Sequence, residues 1–481
     1  MAYKHGVSVT ESPTAIKPAV NTTAGLPVVY GTAPLHLASA AAEANKPVLC
    51  YTYAEAVAAF GYSDDWKKYT LCEAIYSEFS LYAVKPIVLI NVLDPSVHKT
   101  SVTKADFALT SGTGSIADSV LLDTLVVQVN NAGQPLTEGT DYTAAYNDDE
   151  EVVITALEGG LLAKATTCYV KYDKLDASKV DNADIIGGIS TFTGTVKGLE
   201  TLNMVYPMFG IVPGIVAAPG WSDKPEIAAV MKAKAATINN LFKATVLTDI
   251  PTDEVTKYSD VNAWKNQNNY TGEDQVVCWP MAKLGNKIIH LSTHVMGVCG
   301  IVDAANDDIP YKSPSNETLQ ADGLCLSDGT EVIIGPEIGA YLNGQGIITG
   351  LNFNGGWKLW GNRTGCYPAN TDPKDSFLCV RRMFNWHRQT FILTYWNDLD
   401  KPINKRLINL VVDSENYRLN GLVARGYLLG GKIEFRSEDN PRTDLIDGII
   451  RFKTKLTPPV PARNIEDDME FDTSYFDSLF N

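Results

Sequence analysis

The chain has 481 residues, of which 45% are hydrophobic and 20% charged, and a formal net charge of -16. That length suits roughly two to four units with cores of their own, and the acidic balance argues against nucleic acid as a general partner, since phosphate binding needs a basic surface. No apolar run reaches the length of a membrane span, the first residues lack a charged segment followed by an apolar signal core, and eight scattered cysteines without a CxxC pair point to reduced thiols rather than disulfides or a zinc site. The expected compartment is the cytoplasm.

In chain order, residues 1–21 read as an arm. Its short β-prone run over 4–10, with Val7 and Val9 as apolar members, is cut off from the body by Ser12 and Pro13. Residues 22–97 read as the first part of an α/β core, with a strand over 26–31, a helix over 53–60 after Thr52, an amphipathic helix over 71–80 and a strand over 86–93. The unbroken apolar run of that last strand suits the middle of a sheet covered on both faces.

Residues 98–190 change character. Short β-like runs at 124–129, 151–156 and 168–172 alternate with turn clusters, and residues 98–188 hold 6 Lys/Arg against 14 Asp/Glu. They are expected to form an all-β sandwich inserted into the core. The core resumes over 191–359. There the pattern predicts a strand over 208–216 ended by Pro213 and Gly214, a helix over 224–241 capped by Ser222, strands over 243–247 and 275–280, a helix over 284–301 and a loop-rich stretch over 303–360.

Residues 360–457 read as a further α/β unit, with helices over 376–396 and 403–425, a stop at Gly426 and a hairpin-like segment over 427–456. Within it, Ile450, Phe452, Thr454 and Leu456 alternate with Arg451, Lys453 and Lys455, the pattern of a half-buried strand with a basic outer face. Pro458, Pro459 and Pro461 stop it and open a second arm over 458–481. Residues 463–472 hold one basic and five acidic residues, with Ile465, Met469 and Phe471 as isolated apolar anchors. Such a segment buries too little apolar surface to fold alone, yet it can add as a strand to another sheet. The expected fold class is therefore an α/β (α+β) core built from discontinuous segments, with an inserted all-β sandwich and extended arms at both ends.

Charge is unevenly spread. Residues 360–460 carry 16 Lys/Arg and 11 Asp/Glu, residues 461–481 carry 1 and 6, and the first 359 carry 23 and 39. A basic block between acidic ones offers opposite patches to neighbouring subunits or to a second component.

Residues that could carry chemistry have plainer readings. His290 and His294 stand four apart, but Leu291 occupies the place where zinc hydrolases have a glutamate, and the spacing supplies no third ligand. There is neither a Walker A pattern nor a GxGxxG after a strand. The carboxylates 148–151 read as a turn, and WGNRT at 360–364 as a structural corner. Arg381 and Arg388 can share a helix face with position 385 and form one basic stripe. No catalytic, cofactor-binding or metal-binding residue is expected.

These segments, taken together, resemble the contractile-tail sheath proteins of myophages and phage-like bacteriocins. The resemblance rests on GVSVTES near the start, FGIVPGIVAAPGW in the centre, WGNRT, DKPI at 400–403, and GYLLGGKIEFRSEDNP followed by the alternating strand, PPVPA and the acidic tail. It covers most of the chain outside 98–190. It implies a structural subunit, not an enzyme, that stacks as hexameric rings around an inner tube and shortens to drive that tube through a target envelope. Implied partners are copies of itself, the inner tail tube protein, and baseplate and tail terminator proteins, with no nucleic acid, membrane insertion or cofactor. Implied localisation is the host bacterial cytoplasm during assembly, then a virion tail or phage-like particle. Val7, Val9, Ile465, Met469 and Phe471 would lie on exchanged arm strands, Arg451, Phe452, Lys453 and Lys455 on the strand that accepts them, and Arg381 and Arg388 would face the tube. The rival reading is a virion-borne carbohydrate-binding or hydrolytic protein that uses the β insert to engage a receptor.

Overall fold

The computed structural model describes residues 17–19 and 25–479. Its centre is an eight-stranded sheet of β1 (Pro27–Gly31), β2 (Val48–Cys50), β3 (Ile87–Asn91), β4 (Ile215–Ala217), β5 (Thr245–Asp249), β6 (Gln275–Cys278), β7 (Ile347–Asn352) and β8 (Trp357–Trp360), in the spatial order β8-β7-β6-β5-β4-β1-β3-β2. The inner strands run parallel, and β2 and β8 close the edges antiparallel. Alternate residues serve opposite faces: Val28, Tyr30, Val88 and Ile90 enter one buried cluster, Val29 and Leu89 the other. Burial on both sides is why these strands read as continuous apolar runs, each such side chain contributing about 1.5–3 kcal/mol.

Helix α1 (Tyr53–Phe60) starts where Thr52 accepts a hydrogen bond from the Glu55 N–H. Helix α2 (Thr70–Ile75) runs on into a π-helical turn over Tyr76–Leu81, and every residue of α2 is buried, so the stretch expected to be amphipathic is enclosed instead. Helix α3 spans Pro225–Ala235, with proline in its first turn. Ser222 does not cap it; its hydroxyl faces Asp249 at 3.4 Å. Helix α4 (Leu291–Ala304) starts later than expected, because 287–289 pair as a strand with Met281–Leu284.

Two further readings are corrected. The strand expected over 208–216 begins only at Ile215, since Met208 and Phe209 end a helix (Leu202–Phe209) that Gly210 terminates at φ +68°, and Pro213 and Gly214 lead into the strand rather than out of it. The loop-rich stretch over 303–360 holds the helix Pro336–Asn343 and both β7 and β8.

Residues 99–175 form two three-stranded sheets around their own buried cluster, which includes Ile116, Val127, Ile154 and Val170. Lys99 pairs with Leu175, so the two ends lie side by side, whereas Ala177, Val180 and Ile185 pack back into the central cluster. Replacing residues 100–174 by a short Gly/Ser bridge is therefore expected to leave the cooperative unfolding of the remainder intact. An insoluble product, or loss of that cooperative transition in a thermal melt, counts against it.

Toward the C-terminus come α5 (Leu378–Tyr395) and α6 (Lys405–Ala424), the latter capped by Asn404 and followed by Gly426 at φ +79°. The hairpin of β9 (Gly430–Glu434) and β10 (Lys453–Thr457) follows. All eight cysteines are buried and unpaired. No helix among the described residues is long and apolar enough to cross a membrane.

Candidate assembly site

The hairpin is a two-stranded sheet, with Gly430 opposite Thr457 and Glu434 opposite Lys453. Its inner face lies on α6. Ile433 is buried in this seat, and a Cβ at Gly431 would stand 3.1 Å from the Leu419 side chain, so glycine sets the close approach. The two edges of the sheet differ. On β9, the Asn416 side chain of α6 accepts from the Ile433 N–H at 2.9 Å and donates to its carbonyl at 3.0 Å, occupying the groups a further strand would use. On β10, β9 is the only paired neighbour among the described residues. An edge with no partner is a template for another strand.

The alternation along β10 matches the sequence pattern. Lys453 and Lys455 are exposed, and Thr454 and Leu456 are half-buried. Arg451 and Phe452 lie outside the strand, which begins at Lys453 and so starts later than the alternating pattern suggested. The Asn440 amide binds both the N–H and the carbonyl of Arg451, the Arg451 guanidinium pairs with Asp444, and the Phe452 ring contacts Phe435 at 5.9 Å.

After the buried Pro458, residues 458–472 have no regular structure, and Thr473–Leu479 form a 3-10 turn. Ile465, Met469 and Phe471 are 88%, 86% and 77% exposed. The other arm positions, Val7 and Val9, lie outside the described residues. Where the first arm meets the body, the Lys17 backbone donates to Ser414 at 2.9 Å and its ammonium pairs with Asp398 at 2.5 Å, which places this junction between α5 and α6.

Arg381 and Arg388 do not form one exposed stripe. Arg381 is buried and engaged by Asp375 at 3.0 Å and Asp274 at 3.4 Å, whereas Arg388 is exposed. Helix periodicity placed both on one side but could not show that the first turn of α5 is covered. WGNRT is a corner: Arg363 lies between the rings of Tyr367 and Phe377 and donates to Ser376, while the Thr364 hydroxyl donates to the Asp375 carbonyl.

No protein-family profile matches the sequence. Among curated relatives, the chain is 28% identical over 489 residues to the tail sheath protein of Burkholderia phage BcepMu, an alignment covering 99% of this chain and 98% of that protein. It is 23% identical over 334 residues to a putative prophage major tail sheath protein of Pseudomonas aeruginosa, covering 68% of this chain and 83% of the relative. Over nearly its whole length, then, the chain is similar to a phage tail sheath protein. Solved structures agree at the level of fold. The sheath complex of the extracellular contractile injection system PVC in its contracted state superposes with a TM-score of 0.58 at 15% identity, covering 98% of this chain and 99% of that one. The helical sheath of the anti-feeding prophage in its contracted state gives 0.57 at 15%, covering 97% and 99%.

His290 and His294 each have a neighbouring side chain as partner. His290 Nδ1 lies 2.8 Å from Glu73, and His294 Nδ1 lies 2.7 Å from the Tyr82 hydroxyl. No group of three metal-binding side chains occurs among the described residues. The carboxylates 148–151 sit in the turn between the strands Tyr142–Tyr146 and Val152–Ala156.

Burial works against charge on His290, but Glu73, with Asp249 and Asp223 behind it, outweighs burial and holds the imidazole up at about 10. Burial holds His294 and His387 down at about 4, the latter helped by Arg418, and His36 at about 3. The raised group contributes stability that is complete below about 6.5 and lost as pH climbs toward 10. The three depressed ones bind protons only when unfolded, so stability also falls as pH drops below about 6.5. Urea unfolding should thus give a maximum near pH 6.5–7, and a midpoint that rises steadily from pH 7 to 9 contradicts the assignment.

The sequence reading missed Asn416. Its only signal was a poor helix former in the middle of a 20-residue helix.

Proposed function

We propose that this chain is the structural subunit of a contractile sheath, joined to its neighbours by strand exchange at β10. The carrying observation is the asymmetry of the hairpin: Asn416 blocks one edge, β10 leaves the other without a strand, and an acidic tail with exposed Ile465, Met469 and Phe471 departs right after it. Main-chain bonding would supply adhesion, the apolar anchors register, and Lys453 and Lys455 opposite the acidic arm a charge match. The names of the relatives support this reading.

In the full reading, copies stack as hexameric rings around an inner tube, held at one end by a baseplate and at the other by a terminator, and form in the host bacterial cytoplasm before becoming a virion tail or phage-like particle. Strands exchanged by the arms keep subunits tethered while their bodies rotate, and the energy comes from body-to-body packing that forms only in the shortened state. Negative-stain electron microscopy of the concentrated full chain tests it. Rings or tubes are expected, and a monomer that makes neither, with or without a tube protein, overturns it.

With Arg381 buried, Arg388 is the residue on α5 left to face the tube. Exposed ion pairs are worth about 0–1 kcal/mol each, but a lattice repeats them. Arg388→Glu should yield tube-free or prematurely shortened sheaths, and raised NaCl should act the same way on the unmodified chain, since 0.1 M salt screens beyond about 10 Å. Extended particles with unchanged salt tolerance would assign Arg388 to the solvated outer face.

A further inference from the structure

The most exposed large apolar side chain among the described residues is not in the tail. Phe192 is 97% exposed, at the tip of a short hairpin whose strands are Gly188–Ile189 and Val196–Lys197, and Ile189 of the same hairpin is 59% exposed. The tip is ordered. The Ser190 N–H donates to the Thr195 carbonyl at 2.9 Å, the Gly194 N–H donates to the Ser190 carbonyl at 2.8 Å, and Gly194 takes φ +71°, a conformation that glycine adopts without strain. Residues 188–196 hold no charged side chain. An aromatic ring held out on a neutral turn adds nothing to the core, and suits an anchor that buries its area in a partner's pocket.

A fitting pocket is present on the same chain. A cavity of about 340 Å³ lies at the amino ends of β1 and β3, between Leu26, Val84 and Pro86 just ahead of those strands and Gly300, Ile301 and Ala304 of α4. A cavity of roughly 150 Å³ already admits benzene, so a phenyl ring enters this one with room to spare. Its apolar walls present surface: Val84 and Pro86 are half-buried, and Ile301 and Ala304 are exposed. They are also tightly packed on each other, since a Cβ at Gly300 would stand 2.6 Å from the Val84 side chain. The larger cavity, of about 780 Å³ at the carboxyl ends of β1, β4 and β5, is the poorer seat. Asp65, Lys67, Lys68, Asp176 and Lys224 line it, and a neutral ring would displace their water without replacing its hydrogen bonds.

Topology decides whose ring fills the socket. Ile185 and Leu199, on either side of the hairpin in sequence, belong to the buried cluster of the Val28 and Tyr30 face, whereas Val295, Val298 and Val302 of α4 belong to that of the Val29 and Leu89 face. Knob and socket thus lie on opposite sides of the sheet, and no copy can fill its own. A contact between unlike surfaces of identical chains is heterologous, and it closes into a ring or runs on as a helix.

Resting on the assembly reading above, we propose that Phe192 of one copy seats in the cavity at the amino ends of β1 and β3 of the next, as one of the body-to-body contacts of the sheath.

The test places a photoreactive benzoylphenylalanine at position 192 of the full chain, irradiates the assembled particles and maps the products by mass spectrometry. Products joining position 192 of one copy to residues 82–86 or 300–304 of another are expected. Phe192→Asp, at a site outside the core, should melt as the parent does yet need about tenfold more protein to form rings or tubes, as should Ile301→Asp. Combining Phe192→Asp with Ile301→Lys should recover part of that loss. Products confined to other parts of the neighbouring copy, or Phe192→Asp chains that assemble at the parent's concentration, would overturn this contact and leave strand exchange at β10 standing. A parent that forms neither rings nor tubes would overturn both.

Discussion

Truncation after Pro461 is expected to leave a soluble chain that unfolds in one cooperative transition and forms no tubes. The tail contributes nothing to the interior: residues 462–479 are exposed, and the ring contact between Phe471 and Phe476 is local to it. Its removal takes away none of the buried clusters, so the melting temperature should stay within a few degrees of the parent. Assembly is another matter, because each copy would keep an open β10 edge and lose the segment proposed to pair with a neighbour's edge. The effect is all or none rather than graded, since every junction in a lattice is broken at once. Electron microscopy of parent and truncated protein at equal concentration decides it, with circular dichroism melts as the folding control. Normal tubes from the truncated chain would remove the tail from the mechanism, and a lowered, broadened melt would show it to be part of the fold instead.

How much of this was legible in the sequence depends on the kind of contact involved. β1 and β3 stand out because burial on both faces makes them apolar runs, with Asn91 at the end of β3 the exception, and α6 because Gly426 marks its end. β7 and β8 were hidden. Gly344, Gly346, Gly350, Gly355 and Gly356 in and around them carry the composition of a loop, and only pairing with β6 and β8 gives β7 a reason to extend. The helix ending at Phe209 was hidden by Pro207 inside it. At the assembly site, the period-two pattern gave the correct faces of β10, while its start is set by Asn440, eleven residues before Arg451. The stripe of Arg381 and Arg388 failed for a similar reason: periodicity assigns a face to a helix, but only the neighbouring elements, which bring Asp274 and Asp375 to Arg381, decide whether that face meets water.

The same helix carries the other large expected effect. Arg382 of α5 and Asp303 of α4 are 2% and 4% exposed at their side chains and form a two-pronged pair, one prong at 3.1 Å, that ties the C-terminal helices to the central body. Removing one member strands a buried charge, so Asp303→Ala should cost about 3–5 kcal/mol. The pair itself need not be strongly stabilising, because bringing two ions out of water costs several kcal/mol that their attraction must offset. The double change Arg382→Met with Asp303→Leu should therefore recover most of the loss. Urea unfolding of the parent, the single and the double variant measures this, provided the slopes are unchanged so that midpoints report stability alone. The single variant should also make fewer tubes on warming, because α5 bears Arg388 and adjoins the Lys17 junction with Asp398, and both need a fixed helix. If Asp303→Ala unfolded like the parent while the double variant were the weaker, the seat of α5 would have to come from the apolar contacts of Met383 and Trp386 with Leu419 and Leu422, and the ion pair would be incidental to it.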